Sequence, residues 1–295
     1  MIAITGATGF VGEAVVNQAR ADGLAVRAIV RDPAAASGFA HRHDVELFHG
    51  NVIHRPTLEG AFTGINCVVH LVGIINEWQE NTFERAHVEA TANVLDAAKR
   101  AGVKRFVHMS ALGTRAHAVS RYHQTKWAAE ESVRKSGLPA TIFRPSLIYG
   151  PGDKSITVLA RIVRRAPVVP VLGDGQAKIQ PVRVENVARA FVGAIKTDEA
   201  VGKTYDLVGP EPFTWNELYD QLLRHYNLRK PKLHLPLGLL SAPAWLNAKL
   251  FQYPPFNREQ LIMAREDNTG DPLPAEREFG LARESFAAGL QRYLA

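Results

Sequence analysis

A short apolar strand followed at once by three spaced glycines is the feature that most constrains the fold of this chain. The sequence begins Met1-Ile-Ala-Ile-Thr5 and continues Gly6-Ala-Thr-Gly9-Phe-Val-Gly12. In this spacing Gly6 permits a tight turn, Gly9 lets the backbone approach a pyrophosphate, and Gly12 lets a helix pack closely on the strand. The N-terminus of that helix faces the phosphates. The predicted turn contacts to a dinucleotide are Gly6, Thr8, Gly9, Phe10, Val11 and Gly12.

Short apolar segments alternate with helix-like segments through the first half of the chain. The apolar runs lie near 1–5, 25–30, 45–48, 66–72, 104–109 and 139–143, and the periodic segments near 10–22, 33–40, 82–101 and 119–136. Continuous apolar strands separated by helices predict a parallel sheet that is covered on both faces. We therefore expect an α/β fold, a Rossmann doubly wound parallel sheet, with ligands at the carboxyl ends of its strands.

The regular alternation ends after Gly150-Pro-Gly-Asp153, and most of the 17 prolines follow that point. We expect residues 1–150 to form the NAD(P)-binding Rossmann core, to which later segments return. Residues 151–295 are expected to form mainly a smaller substrate lobe over the cofactor cleft.

The end of the second predicted strand discriminates between the two nicotinamide dinucleotides. An acidic residue at this position would bond the ribose 2′-hydroxyl of NAD(H). This chain has Arg31 there, and a guanidinium pairs with a 2′-phosphate. Asp32 before Pro33 is instead typical of a helix N-cap followed by proline at the first helical position. The site is therefore predicted to prefer NADP(H), with NAD(H) as the weaker alternative.

Three side chains in the middle of the chain indicate acid–base chemistry. Ser110 closes the predicted strand 104–109, and Tyr122 and Lys126 share one face of the next helix because they are four residues apart. A nearby ammonium lowers the pKa of a tyrosine towards working pH, as proton transfer needs. The Ser110 hydroxyl can hold a substrate carbonyl. The alternative is that Tyr122 and Lys126 are only a pair on a helix surface.

Together these motifs resemble the short-chain dehydrogenase/reductase superfamily. The glycine turn matches its TGxxGxxG motif, and Ser110, Tyr122 and Lys126 match its serine and YxxxK pair. The resemblance implies hydride transfer at the nicotinamide, with Lys126 also bonding the nicotinamide ribose. Asn93, in the helix before the Ser110 strand, matches a further position of the superfamily.

A narrower resemblance involves the segments 70–75, 82–88, 106–113, 122–127 and 143–146. They make the chain similar, from Met1 to about Asn268, to the atypical or extended, epimerase-like members, and in particular to bacterial relatives of the nucleotide-binding accessory subunit of respiratory complex I. Related members are implicated in ubiquinone biosynthesis. The resemblance implies two alternatives. One is an NADP(H)-dependent oxidoreductase acting on an apolar carbonyl or quinone-like compound, and the other is a non-catalytic NADPH-binding accessory protein of a respiratory or ubiquinone-biosynthesis complex.

Further cofactor contacts are expected where other strands end. Asn51 and Val52 are placed to face the adenine. Relatives commonly have an aspartate where Asn51 stands, but an amide also offers a donor and an acceptor. The remaining expected contacts are Leu71, Val72 and Gly73 after the fourth strand, and Pro145, Leu147 and Ile148 after the sixth.

Composition excludes several other classes of protein. Cys67 is the only cysteine, so no intrachain disulfide or cysteine-based metal site can form, and a buried thiol in a reducing compartment fits. The four histidines between 41 and 54 are interpreted as surface residues, so no metal is predicted. The net charge of +6 is dispersed and no nucleic-acid-binding module accompanies it, so we expect no nucleic-acid partner.

The region 233–253 is the most apolar part of the second lobe. Pro236 and Pro243 interrupt it, which excludes a spanning helix. It is either a lid packed over the substrate cleft or a membrane-facing, quinone-accepting surface with Trp245 and Tyr253 at the interface. Since the sequence shows neither a signal peptide nor a spanning stretch, we expect a cytoplasmic protein or one peripheral to the inner face of the membrane. The sequence does not indicate an oligomeric state.

Overall fold

The computed structural model describes residues 1–39, 44–238 and 257–294 of the chain. The strands are β1 (Ile2–Thr5), β2 (Val26–Val30), β3 (Val45–His49), β4 (Cys67–His70), β5 (Arg105–Met109), β6 (Ala140–Pro145), β7 (Ile148–Tyr149), β8 (Val169–Leu172), β9 (Lys178–Ile179), β10 (Val182–Arg183), β11 (Thr204–Leu207), β12 (Phe213–Thr214) and β13 (Lys232–Leu235).

The helices lie between these strands and after the last of them. They are α1 (Phe10–Ala21), α2 (Ala90–Arg100), α3 (Arg121–Lys135), α4 (Ile156–Arg165), α5 (Val184–Lys196), α6 (Trp215–His225), α7 (Arg258–Met263), α8 (Leu273–Phe279) and α9 (Phe286–Gln291). A turn of π-helix over Glu84–Glu89 leads into α2, and short 3₁₀ helices cover Ala34–Phe39, Arg55–Leu58 and Asp198–Ala200.

The central sheet has seven parallel strands in the order β11-β6-β5-β4-β1-β2-β3. The six strands predicted in the first half of the chain all lie in it, and β11 joins β6 at the edge. Because the chain runs outward from β1 through β2 and β3 and then returns to β4, the order reverses between β1 and β4. The carboxyl ends of these two strands therefore frame the crevice where ligands bind in such sheets. The predicted Rossmann doubly wound fold is confirmed.

Both faces of the sheet are covered, as its apolar strands require. On one face Ile4 and Val69 pack among residues of α1, α5 and α8, such as Val16, Phe191 and Phe279. On the other face Ala3 and Val68 pack against α2, α3 and the chain around Leu58. Successive strand residues thus point to opposite faces, and both faces are apolar.

A separate cluster of buried side chains joins the smaller β-pairs to α4, α6 and α9. Strand β7 pairs with β10, β8 with β13, and β9 with β12. The apolar faces of α4, α6 and α9 meet around Val163, Leu222 and Leu290. By contrast, α5 and α8 pack on the central sheet, although they follow Gly150 in the chain.

Some predictions of local structure need correction or lie outside the described residues. The predicted helix at 33–40 is a 3₁₀ helix, in which Asp32 caps the N–H of Ala34 at 2.9 Å. Its six residues include Gly38, and so short a segment gains little from α-helical hydrogen bonds. Cys67 is buried as expected. Trp245 and Tyr253 lie outside the described residues, as do His41 and His43. Within the described residues, no helix combines the length and apolarity needed to cross a membrane.

Candidate active site

The glycine turn between β1 and α1 has the geometry that its spacing predicts. Gly6 has a φ of +74°, and a Cβ atom there would lie 3.3 Å from the backbone nitrogen of Val72. A Cβ on Gly12 would overlap the Gly6 carbonyl oxygen. Gly9 precedes α1 without a side-chain cap, so the first N–H groups of the helix are free to bind an anion. Thr8, Phe10 and Val11 are half-buried around them. A pyrophosphate fits this turn.

Arg31 follows β2 directly and is exposed at the adenosine end of the crevice. Its carbonyl oxygen bonds His49 Nε2 at 3.0 Å. Its guanidinium forms no ion pair with the part of the chain that the structure describes. The cation is therefore available to a ligand.

The loop after β3 holds Asn51 and Val52 in place by local hydrogen bonds. Asn51 Oδ1 accepts from the N–H of Ile53 at 3.1 Å, so its side-chain oxygen is already used within the loop. The Asn51 Nδ2 group is the part of the amide left to face an adenine. Asn93 Nδ2 donates to the carbonyls of Val52 and Ile53 at 3.0 and 3.2 Å. Asn93 therefore supports the loop after β3 from α2.

The structure brings Lys126 to the end of the strand that precedes Ser110. Lys126 is 2% exposed, and its Nζ donates to the carbonyl oxygen of Met109, the last residue of β5, at 3.1 Å. Ser110 is also buried, and its Oγ donates to Thr114 Oγ1 at 3.3 Å. Tyr122 lies one turn before Lys126 on α3, whose N-terminus is capped by Ser120. The alternative of an exposed surface pair is wrong, because Lys126 is buried.

Gly73, after β4, is close to Lys126. A Cβ atom on Gly73 would lie 2.8 Å from Lys126 Nζ. Glycine at this position thus leaves room for the ammonium. An ammonium carries three protons. Among the described residues, the Lys126 ammonium donates a hydrogen bond to the Met109 carbonyl. The other protons can bond ribose hydroxyls beside Gly73.

Burial dominates the electrostatics of this pair. It lowers the pKa of Lys126 to about 8, against the opposing effect of Glu130. It raises the pKa of Tyr122 to about 12. The expected lowering of the Tyr122 pKa by Lys126 is therefore wrong for the free protein, because desolvation of the phenol outweighs the attraction of the ammonium. The Tyr122 phenol therefore keeps its proton at neutral pH.

The remaining predicted contacts divide between backbone and side chain. The side chain of Leu71 is buried in the core, so its backbone is the part better placed to meet a cofactor. Val72 is half-buried against Gly6. Pro145 is buried, and its carbonyl accepts from the N–H of Leu112 at 2.9 Å. Leu147 and Ile148 are half-buried where the two parts of the fold meet.

Sequence analysis missed a group of buried histidines beneath the site. His70 and His108 occupy paired positions on β4 and β5, and His87 lies in the π-helical turn before α2. Burial and the charge of Lys126 lower the pKa values of His70 and His87 to about 3 and about 2. The signal was present, because His70 ends the apolar run of β4 and His108 lies between Val107 and Met109 in β5.

A second group that sequence analysis missed comes from the segment 257–268. Asn257 donates to the Ile75 carbonyl at 2.9 Å, and Glu266 pairs with Arg115 at 2.9 Å. Asn268 bonds Ser146 Oγ at 2.6 Å and the Leu112 carbonyl at 3.1 Å. This segment connects the loops after β4, β5 and β6. No local sequence pattern predicts contacts between residues so far apart in the chain.

Comparisons with known proteins agree with this fold. Residues 2–207 match the NAD dependent epimerase/dehydratase family. A ceramide reductase of Caulobacter vibrioides is 32% identical over 251 residues, which are 84% of this chain and 78% of that protein. The mitochondrial NADH dehydrogenase [ubiquinone] 1 alpha subcomplex subunit 9 of Arabidopsis thaliana is 33% identical over 256 residues, which are 81% of this chain and 62% of that protein. A nucleoside-diphosphate-sugar epimerase from Staphylococcus aureus has the same fold, with a TM-score of 0.81 at 19% identity over 98% of this chain and 99% of that one.

Proposed function

Because this chain belongs to the NAD dependent epimerase/dehydratase family, we propose that it is an NADP(H)-dependent oxidoreductase that reduces an apolar carbonyl or quinone-like compound. The observation that carries the proposal is the position of Lys126. Its ammonium is buried at the end of β5, next to Ser110 and one helical turn from Tyr122. Burying a cation costs free energy, and at this position Lys126 can stabilise negative charge on Tyr122 as well as bond a ribose.

The residues around the crevice suit a phosphorylated nicotinamide dinucleotide. The turn Gly6–Gly12 would hold the pyrophosphate, Asn51 Nδ2 and Val52 the adenine, and Arg31 the 2′-phosphate. Lys126 would bond the nicotinamide ribose beside Gly73. When bound, the dinucleotide supplies the hydride.

The protein's own part in the reaction is the proton. Ser110 Oγ turns from Thr114 towards the substrate oxygen and holds it. With a ketone or aldehyde, Tyr122 donates its phenolic proton to that oxygen as the carbonyl carbon accepts the hydride, so the C=O bond becomes a CH–OH group. With a quinone, the hydride and this proton together give the hydroquinone. The charge left on the Tyr122 oxygen is stabilised by Lys126, and a proton from solvent restores the phenol. The high pKa of Tyr122 suits a proton donor and therefore the direction of reduction.

The substrate class is proposed from a relative and from the lobe that covers the crevice. The Caulobacter relative is named as a reductase of ceramide, which is a lipid. The segment 257–268 closes over the loops after β4, β5 and β6. A substrate on that side of the crevice would meet the exposed side chain of Ile75.

A second candidate is a non-catalytic NADPH-binding protein of a respiratory complex at the membrane. It is favoured by the relative from Arabidopsis, which is named as a subunit of NADH dehydrogenase. Such a protein would bind NADPH and return it unchanged.

Single-turnover oxidation of bound NADPH tests the proposal against this alternative. The protein is mixed with NADPH and then with quinones, long-chain ketones and other carbonyl compounds, while absorbance of the reduced nicotinamide is followed. At least one compound should oxidise NADPH, and Tyr122→Phe should lower that rate by about 10²–10⁴-fold. Tyr226→Phe, in the second lobe, is the matched control. Tight binding of NADPH with no oxidation by any compound would instead favour the accessory protein.

A further inference from the structure

A chain of buried hydrogen bonds runs beneath the candidate site from β1 to α3. It passes through Thr5, His70, Thr91, His87 and Thr125 in that order, and each of these residues is at most 8% exposed. The link from Thr91 to His87 is made to the backbone carbonyl of His87. Thr5 Oγ1 lies 2.7 Å from His70 Nδ1, and His70 Nε2 lies 3.2 Å from Thr91 Oγ1. His87 Nδ1 lies 2.9 Å from Thr125 Oγ1. We call these five residues the threonine–histidine chain.

The first half of the chain has only one consistent arrangement of protons. The Thr91 hydroxyl donates its single proton to the carbonyl oxygen of His87. Thr91 Oγ1 must then accept from His70 Nε2–H. His70 Nδ1 is consequently the acceptor, and it takes the proton of the Thr5 hydroxyl. Thr5 is the residue immediately before Gly6.

The second half is decided by the backbone around His87. The Thr125 hydroxyl donates to the carbonyls of Arg121 and Tyr122, each at 3.0 Å. Thr125 Oγ1 therefore accepts from His87 Nδ1–H. His87 Nε2 lies 3.1 Å from both the backbone nitrogen and the carbonyl oxygen of Ile74, and in this tautomer it accepts from the Ile74 N–H. The opposite tautomer would leave the Ile74 N–H without this partner, and orphaned backbone N–H groups are rarer than orphaned carbonyls.

His87 is also in contact with the reacting side chains. Its ring meets the Tyr122 ring edge to face, with centroids 5.4 Å apart. Its Nε2 lies 3.6 Å from the position of a Cβ on Gly73, the same position that lies 2.8 Å from Lys126 Nζ. Burial keeps the pKa of His87 low, so the ring remains uncharged beside the Lys126 ammonium.

We propose that His87 is a positioning residue, which Thr125 and the Ile74 N–H hold in its Nδ1–H form so that it fixes both the Ile74 loop and the first turn of α3. Through Ile74 it holds the loop that lines the nicotinamide side of the crevice. Through Thr125 and ring contact it holds Tyr122. The catalytic part of this inference rests on the proposed function, whereas the tautomer and the loop contact do not.

Nitrogen-15 NMR of the full chain tests the tautomer without any turnover. At pH 7 the His87 ring should give a pyrrole-type Nδ1 shift and a pyridine-type Nε2 shift, and the spectrum should stay unchanged between pH 5 and 8. A protonated ring, or a proton on Nε2 instead, would overturn the proposal.

Three substitutions of His87 then separate its two hydrogen bonds. His87→Phe keeps a ring and loses both bonds, and His87→Asn keeps a donor near the Nδ1 position. His87→Phe should weaken NADPH binding about tenfold. The factor by which it lowers kcat should be about ten times the factor by which it changes KM for the substrate. His87→Asn should recover most of kcat, because Thr125 keeps its donor. His87→Gln should recover NADPH binding rather than kcat, since it offers an acceptor to Ile74.

His108→Phe is the matched control, since His108 is buried on β5 and stacks on His70 with centroids 5.6 Å apart. Neither of its ring nitrogens has a hydrogen-bond partner among the residues that the structure describes. It should leave NADPH binding, kcat and the pH profile of kcat within about twofold of the parent. Equal losses in His108→Phe and His87→Phe would show a purely structural role and overturn the proposal. If the parent oxidises no NADPH at all, the proposed function fails, and the NMR tautomer and the NADPH affinities still decide the role of His87.

Discussion

Replacing Gly73 by alanine tests the closest contact in the candidate site. The new methyl group would lie 2.8 Å from Lys126 Nζ, whereas ordinary contacts to a Cβ atom are longer by more than half an ångström. The ammonium must therefore move away from the Met109 carbonyl, to which it donates at 3.1 Å. A hydrogen bond made by a charged group contributes about 1.5–3 kcal/mol. We expect that loss to appear in the free energy of unfolding or, once a nucleotide is bound, as a decrease of about 10–100-fold in the rate of NADPH oxidation.

The assay is urea unfolding together with single-turnover oxidation of NADPH. Gly38→Ala is the control, because a Cβ atom on Gly38 meets no atom of the described residues within 4 Å. In a Lys126→Met background the Gly73→Ala effect should shrink to a few tenths of a kcal/mol, because the group that it displaces is gone. Gly73→Ala with unchanged stability and rate, or with the same effect in both backgrounds, would refute the reasoning about Lys126.

Three further predictions address the nucleotide and the response to pH. Arg31→Glu should weaken NADPH binding by at least about tenfold and leave NADH binding within about threefold, because only NADPH has the 2′-phosphate; fluorescence titration measures both, and equal losses would rule out a 2′-phosphate contact. Asn93→Ala should weaken the binding of both dinucleotides by about threefold to tenfold, since the Val52 and Ile53 carbonyls lose their donor; unchanged affinity would mean that the loop keeps its shape without Asn93. Stability should fall as the pH decreases from about 6.5 towards 3, because the folded pKa values of His70 and His87 lie below the ordinary value and the unfolded chain binds the protons first. In that range each histidine lowers the free energy of unfolding by about 1.4 kcal/mol for each pH unit of decrease. Urea midpoints that do not change from pH 7 to 5 would contradict the burial of these rings in their neutral form.

The central sheet could be predicted from the sequence because its signals are local. Each strand is a short apolar run, and the glycine turn identifies β1 and α1 by their spacing. The prediction of an α-helix at 33–40 was wrong, because proline and a capping aspartate start a 3₁₀ turn as readily as an α-helix. Gly38 favours neither of the two. The position of β11 was not predicted, since a short strand late in the chain gives no sign of the edge that it joins.

The candidate site was predicted only where its residues form motifs. Ser110, Tyr122 and Lys126 could be identified because strand and helix place them at fixed spacings. The pKa of Tyr122 could not be predicted in this way. It depends on burial by residues such as Phe83 and His87, which are distant in sequence from Tyr122. The same holds for Asn257 and Asn268, which reach the site from a segment more than a hundred residues later.

The most direct test of the central claim follows the hydride itself. The full chain is mixed with NADPH that carries deuterium at both hydrogen positions of nicotinamide C4 and with each active carbonyl compound, and the product is analysed by mass spectrometry. The proposed function predicts one deuterium on the carbinol carbon of the product and its loss when Tyr122→Phe replaces the parent. NADPH that stays bound and fully labelled with every compound would contradict the claim and leave the protein as a nucleotide binder.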